Sequence, residues 1–172
     1  MITATIFVLM MTPGLSFFYG GMVRAKNVIS TMLQSFIVMG FISVIWVIFG
    51  FGLAFGNDIG HVIGNPMDFL MFDNVGVDNV VNRDESVLSQ IGIATTTIPL
   101  ALFALFQMKF AIITPSLITG SFAERVRFSG YLLFMVLWVI VVYCPLAHCT
   151  WHPEGLFGML EVHDYAGGIV VH

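Results

Sequence analysis

Charge is what this sequence has least of. Only 9% of its 172 residues are Asp, Glu, Lys or Arg, while 58% are hydrophobic and the mean hydropathy is +0.97. A soluble domain carries roughly 25% charge, so a chain with this little, arranged in long apolar runs, reads as a polytopic membrane protein. It has no Lys/Arg-rich tail, basic helix or aromatic-basic interleaving, which excludes nucleic acid as a partner. Cysteine is nearly absent: Cys144 and Cys149 stand five apart on one predicted helix, so their side chains diverge by about 140° and no mutual disulfide is expected. The N-terminus lacks a charged n-region, and its apolar run is long enough to cross a bilayer, so it reads as a helix and not a cleaved signal.

What is present divides into apolar spans and short polar connections. Residues 2–23 form the first span, with Pro13-Gly14 inside it, where neighbouring helices can satisfy the backbone groups that proline frees. Residues 30–55 form the second, with Gly40, Gly50 and Gly52 permitting close helix contacts. Residues 91–122 read as a third, kinked by Thr114-Pro115, residues 128–150 as a fourth, and residues 164–172 as the start of a fifth. Between the second and third spans, residues 57–85 carry six acidic residues and one arginine, a net −5. Gly60, Gly64, Pro66 and Gly76 mark that stretch as loop, and His61 reads as a solvated loop histidine.

The cations set an orientation. Arg24/Lys26 and Arg125/Arg127 occupy short connections that fall on one face if the first four spans all cross. Lysine and arginine are retained on the cytoplasmic side, which puts the N-terminus, the acidic loop and Trp151 outside.

Phe106 and Phe110 stand at i, i+4 and share a helix face; the pair fits helix packing, or a constriction that excludes water and bare ions. Lys109 beside them is the one basic residue deep in a span, so it must pair, snorkel or face a cavity, and a pairing within the bundle is expected. Trp151 ends the fourth span as an interfacial anchor, or as an indole face that attracts a small cation. Asp164 reads as the N-cap of a fifth helix, adding negative potential for an incoming cation. Ala166 and Gly167-Gly168 follow, allowing close approach or leaving a carbonyl open to a ligand. His172 would then lie about 12 Å below Asp164 at 1.5 Å rise per residue, an imidazole inside the hydrocarbon zone. Such a ring is tolerable only uncharged, and it can line a path for a small polar molecule or a proton, or be a satisfied core residue. The sequence stops at His172 without a cap, which reads as a fragment.

Jointly, these residues are specific. The run Met11-Thr12-Pro13-Gly14-Leu15-Ser16-Phe17-Phe18-Tyr19-Gly20-Gly21-Met22-Val23-Arg24-Ala25-Lys26-Asn27-Val28 resembles the first-helix signature of the ammonium transporter family. Phe106-Gln107 through Phe110-Ala111-Ile112-Ile113-Thr114-Pro115, then Phe122-Ala123-Glu124-Arg125, is similar to its third helix and following loop. Asp164-Tyr165-Ala166-Gly167-Gly168 with His172 resembles its fifth-helix motif, usually written with Phe where Tyr165 stands. Trp151-His152-Pro153-Glu154-Gly155 departs from a more glycine-rich outer loop.

The resemblance implies the first half of an eleven-helix, all-α, N-outside protein with two inverted five-helix halves, assembled as a homotrimer in a cell membrane and its lipid. It implies that Trp151, Phe110 and the Ala166 carbonyl recruit ammonium, that Phe106 and Phe110 form a phenyl gate, and that Asp164 lies beneath the recruitment site. His172 matches the first of two pore histidines. Ammonia would pass as the neutral species, methylammonium is a candidate cargo, no cofactor is implied, and a PII-type regulatory protein is expected to act on a C-terminal tail. A sensor with the same fold coupled to a signalling domain is the alternative. An enzyme using His172 or His148 with Asp164 lacks an accompanying nucleophile or metal-ligand spacing.

Overall fold

The computed structural model describes residues 1–77 and 98–172. Asp78, Arg83, Asp84 and Glu85 of the acidic loop, Thr95 to Thr97, and the expected start of the third span at Ile91 lie outside the described residues.

Among the described residues four helical stretches are long and apolar enough to cross a membrane: Ile2–Met22, Ala25–Phe55, Leu100–Phe122 and Phe128–Met159. In hydrocarbon a backbone must satisfy its own polar groups, and sequences this apolar do so as helices. Helix α1 covers Ile2–Met22 and carries Pro13 without breaking. A short 3₁₀ turn, Ala25–Asn27, leads into α2, Val28–Ile45, which continues through a π-helical turn at Trp46–Gly50 into α3, Phe51–Phe55. Helix α4 spans Leu100–Ser116, and Pro115 near its end precedes a break before α5, Thr119–Phe122. Helix α6, Phe128–Trp138, runs through a second π-helical turn at Val139–Tyr143 into α7, Cys144–Trp151. One more turn, α8, covers Leu156–Met159.

Small side chains set how closely the helices approach. Thr12, Ser16 and Gly20 recur every four residues on α1 and are buried; Ser16 donates to the Met32 carbonyl of α2 at 3.2 Å. The facing stripe of α2 is Thr31, Ser35, Val38 and Ile42. Such close approach replaces the hydrophobic drive that lipid cannot supply between helices. At the bundle centre the Trp46 indole donates to the Ala104 carbonyl of α4 at 3.1 Å and packs on Phe51, Phe55 and Tyr143.

A small antiparallel hairpin caps one end. Strands β1 (Asp58–Ile59) and β2 (Ile63–Gly64) pair Asp58 with Gly64 and Ile59 with Ile63. The hairpin lies directly on the α3 backbone: a Cβ on Gly64 would collide with the Gly52 carbonyl, and one on Gly56 with the Asn65 backbone. After it, Pro66–Phe72 forms an irregular helical segment whose start is capped by Asn65. Cys144 and Cys149 are both free and buried.

Candidate functional site

The phenyl pair is where the helix spacing puts it. The rings of Phe106 and Phe110 meet edge to face, 5.0 Å between centroids, on α4. Ile113 and Leu117 continue the same stripe, seven and eleven residues beyond Phe106, and both line an open apolar cavity of about 300 Å³. Met11, Gly14, Leu15 and Phe18 of α1 form its other wall, and Val171 and His172 close it. One face of α4 therefore runs from the stacked phenyl rings to the cavity that holds His172. Neighbouring residues are less settled: Lys109 has no hydrogen-bond or ion-pair partner among the described residues, so the expected pairing is not found there. The Gln107 side-chain oxygen is buried without a partner.

Trp151 closes α7, half-buried, with its indole parallel to the Phe55 ring at 6.3 Å and 9°. Its ring pairs with Phe55 and not with Phe110, so among the described residues the two expected recruiting aromatics make no direct ring contact. Instead the indole Nε1 donates to Asp164 Oδ2 at 2.9 Å. The other Asp164 oxygen accepts from the Ile169 backbone N–H at 2.8 Å, so both carboxylate oxygens are engaged.

The final segment differs from the helix read from Asp164 onward. Ala166 and Gly167 take left-handed backbone, φ 56° and 78°, and a right-handed helix cannot run through them. A single helical-type turn opens at Gly167, whose carbonyl accepts from the Val171 and His172 N–H groups. Asp164 therefore stands ahead of that turn and reaches into it through Ile169, so the straight 12 Å descent to His172 does not hold. Tyr165 points outward, 92% exposed. No described backbone N–H donates to the Ala166 carbonyl, which leaves it open.

A second polar cluster lies behind Trp151, and sequence reasoning missed it. His148, fully buried one turn before Trp151, has Nδ1 3.1 Å from the Ala54 carbonyl and Nε2 2.9 Å from Asp58 Oδ1. It faces Asp58 and not Asp164, so the His148–Asp164 pairing weighed for an enzyme is not formed. Asp58 Oδ2 accepts from the His61 backbone N–H at 3.0 Å and lies 3.3 Å from the His61 ring. Burial alone would raise the Asp58 carboxyl, but the His148 and His61 hydrogen bonds and charges outweigh it and hold the group below its ordinary value of 3.8. His61, expected to be merely solvated, is half-exposed yet ties the hairpin to the α7–α8 loop through its Nδ1 and the Glu154 carbonyl, 2.7 Å apart. The only sequence signal for this cluster was a lone histidine in an apolar helix.

At the opposite end, Glu124, itself in left-handed backbone, reaches Arg24 and Asn27. The two short cation-bearing connections are therefore held on one face.

The family model described as the Ammonium Transporter Family matches residues 1–172. The ammonium transporter of Bacillus subtilis is 44% identical over 172 residues, all of this chain and 39% of that protein. The ammonium transporter of Mycobacterium tuberculosis is 38% identical over 182 aligned positions, covering all of this chain and 38% of that protein. Among solved structures, Saccharomyces cerevisiae Mep2 superposes with a TM-score of 0.75 at 31% identity over 99% of this chain and 35% of that one. A structure titled Sensor Amt Protein gives 0.79 at 26% identity, over 99% and 39%. The chain spans about two fifths of the length of these relatives.

Proposed function

This chain belongs to the ammonium transporter family, an all-α, multi-pass membrane fold, and from that premise we propose that it forms the outer mouth and half the pore of a protein that moves ammonium nitrogen across the membrane. The observation that carries this reading is the Trp151–Asp164 hydrogen bond. It joins a half-buried indole to an acidic residue, beside an open carbonyl at Ala166 and on the segment that ends at the His172-lined cavity.

In this reading ammonium is drawn to the Trp151 face by cation–π attraction of roughly 0.5–2 kcal/mol, enough to recruit without trapping. The Asp164 charge strengthens the local negative potential, and the Ala166 carbonyl accepts one ammonium N–H. Phe110 and Phe106 line the way inward. A bare cation entering an apolar passage loses its hydration at a cost of several kcal/mol or more, so ammonium gives its proton to water on the outer side and neutral ammonia passes. His172 hydrogen-bonds the passing ammonia. Potassium cannot shed its charge and is excluded.

The same premise sets the surroundings. The complete protein is read as eleven helices in two inverted halves, N-terminus outside, assembled as a trimer in lipid, with methylammonium as a second cargo and a PII-type protein acting on a C-terminal tail. The tie between the two cation-bearing connections supports the orientation, because it places Arg24, Lys26, Arg125 and Arg127 together.

The test is labelled methylammonium uptake by the complete protein. Trp151→Leu should raise KM and His172→Ala should lower the maximal rate. If both variants transport like the wild type, the roles assigned here are wrong. A sensor reading has one observation in its favour, the similarity to the structure titled Sensor Amt Protein. Purified, reconstituted protein that binds ammonium but passes none would favour it.

A further inference from the structure

The cluster behind Trp151 is buried, charged and unused by the reading above. His148 stands at its centre. Ala54 O and Asp58 Oδ1 each sit at hydrogen-bond distance from one of its ring nitrogens, so both ends of the ring are held and its rotation is fixed. Asp58 also accepts the His61 backbone N–H on its other oxygen.

His152 stacks on that ring, 4.5 Å between centroids and 17° between planes. Its Nδ1 accepts from the Glu154 N–H at 3.2 Å, so its own proton sits on Nε2 and the ring is neutral. Its π face thus covers the His148 ring, while His61 stands at the other oxygen of Asp58.

These contacts share one junction with Trp151. His148 and Trp151 are three residues apart on α7, hence on neighbouring faces of one turn. Ala54 and Phe55 are adjacent on α3; the first holds the His148 ring and the second lies parallel to the Trp151 indole. Among the described residues, the other polar contact from α7 to this stretch is the longer Cys144 Sγ approach of 3.7 Å to the carbonyl of Gly50, in the π-helical turn before α3. We propose that the Asp58–His148 pair is a positioning element for Trp151: its bonds fix the rotation of α7 against α3, and with it the plane of the indole and the aim of its N–H at Asp164. The proposal rests on reading Trp151 as the recruiting aromatic. Asp58 and His148 touch no substrate; they act through the tryptophan.

A positioning role predicts effects on recruitment and not on turnover. In methylammonium uptake by the complete protein, Asp58→Ala should raise KM about tenfold, some 1.4 kcal/mol of lost binding, with the maximal rate held within about twofold. Asp58→Asn can still donate to a neutral His148 and should stay within about threefold of wild type, as expected if geometry and not charge is what matters. In a Trp151→Leu background Asp58→Ala should add less than about twofold, because the residue it positions is gone.

A variant that removes both partners guards against simple misfolding. Replacing both partners of a buried pair by apolar groups of similar size costs less than removing one, so the double variant Asp58→Leu with His148→Met should assemble with a melting temperature above that of Asp58→Ala yet keep the raised KM. An unchanged KM in that double variant, or an Asp58→Ala effect that falls on the maximal rate or adds fully to Trp151→Leu, overturns the positioning role. Trp151→Leu raising KM while the Asp58 variants do not overturns it alone. Trp151→Leu without effect removes the recruitment reading and the proposal with it.

Discussion

Glu124 grips Arg24 across a hundred residues of chain: Oε2 lies 3.3 Å from the Arg24 Nε, and Oε1 accepts from the Arg24 backbone N–H at 3.0 Å and from Asn27 Nδ2 at 2.8 Å. One carboxylate thereby joins the α1–α2 connection to the one between α5 and α6. It does so from a backbone with φ of 64°, a conformation that a glutamate adopts only when its contacts hold it there.

That contact carries a pH signature. The Asn27 amide first, then the Arg24 N–H and the nearby Arg24 and Lys26 charges, hold the Glu124 carboxyl below its ordinary value of 4.5. A carboxyl lowered on folding stabilises above its unfolded pKa, and the benefit disappears as pH falls through the folded value. The melting temperature of the complete protein should therefore exceed that of Glu124→Gln at neutral pH, and the gap should close as pH falls below the ordinary carboxyl value of 4.5 and through the lowered one. A gap that persists unchanged into stronger acid means the charge is not what holds the loops.

Asp164 uses its two oxygens for two donors, Trp151 and Ile169. Asn offers one acceptor oxygen and no charge, so Asp164→Asn keeps at most one bond, and Asp164→Ala keeps neither. Hydrogen bonds to a charged group contribute about 1.5–3 kcal/mol and neutral ones about 0.5–1.5, so methylammonium KM should rise in the order wild type, Asn, Ala, by about tenfold or more at the first step and about two- to tenfold at the second. Equal KM values for the Asn and Ala variants would show that the charge alone matters.

Trp46 donates to a carbonyl inside the bundle, and all of its surface is buried. Trp46→Phe preserves much of the packing but loses the second bond to the Ala104 carbonyl, which keeps its partner within α4, at a cost of roughly 0.5–1.5 kcal/mol. Thermal unfolding of the detergent-purified complete protein should register that loss, while Trp46→Phe and wild type should show the same KM.

Gly64 sits against the Gly52 carbonyl, where a methyl group has no room because the obstacle is backbone. Gly64→Ala should push the hairpin off α3 and destabilise the protein by about 1–3 kcal/mol. Limited proteolysis between Gly56 and Gly64 should accelerate in the variant; an unchanged cleavage rate would place the slack elsewhere.

Much of this architecture is legible because hydrocarbon imposes a simple rule. Long runs such as Val28 to Phe55 have no option but helix, and the i, i+4 spacing of Phe106 and Phe110 is enough to put their rings together. The Trp151–Asp164 bond was half visible, since both residues were singled out, but not their contact. What could not be read is what depends on tertiary geometry. His148 meets Asp58 across ninety residues, from a helix whose composition says only that it is apolar. The Asp164 segment misleads for a different reason: Ala166 has good helix propensity, yet it adopts the left-handed state beside Gly167, a local choice that the Asp164 and Gly167 hydrogen bonds enforce. Lys109 shows the reverse, a residue that demands a partner by its chemistry while none is found among the described residues.

The hairpin over α3 holds the loop that follows Trp151. Its tip is stitched to that loop twice, by the Leu156 N–H to the His61 carbonyl at 2.9 Å and by the His61 ring to Glu154. Any outward swing of the loop must first release that amide. Deuterium uptake at Leu156 is accordingly a clock for its opening, readable without substituting Trp151, Asp164 or His172.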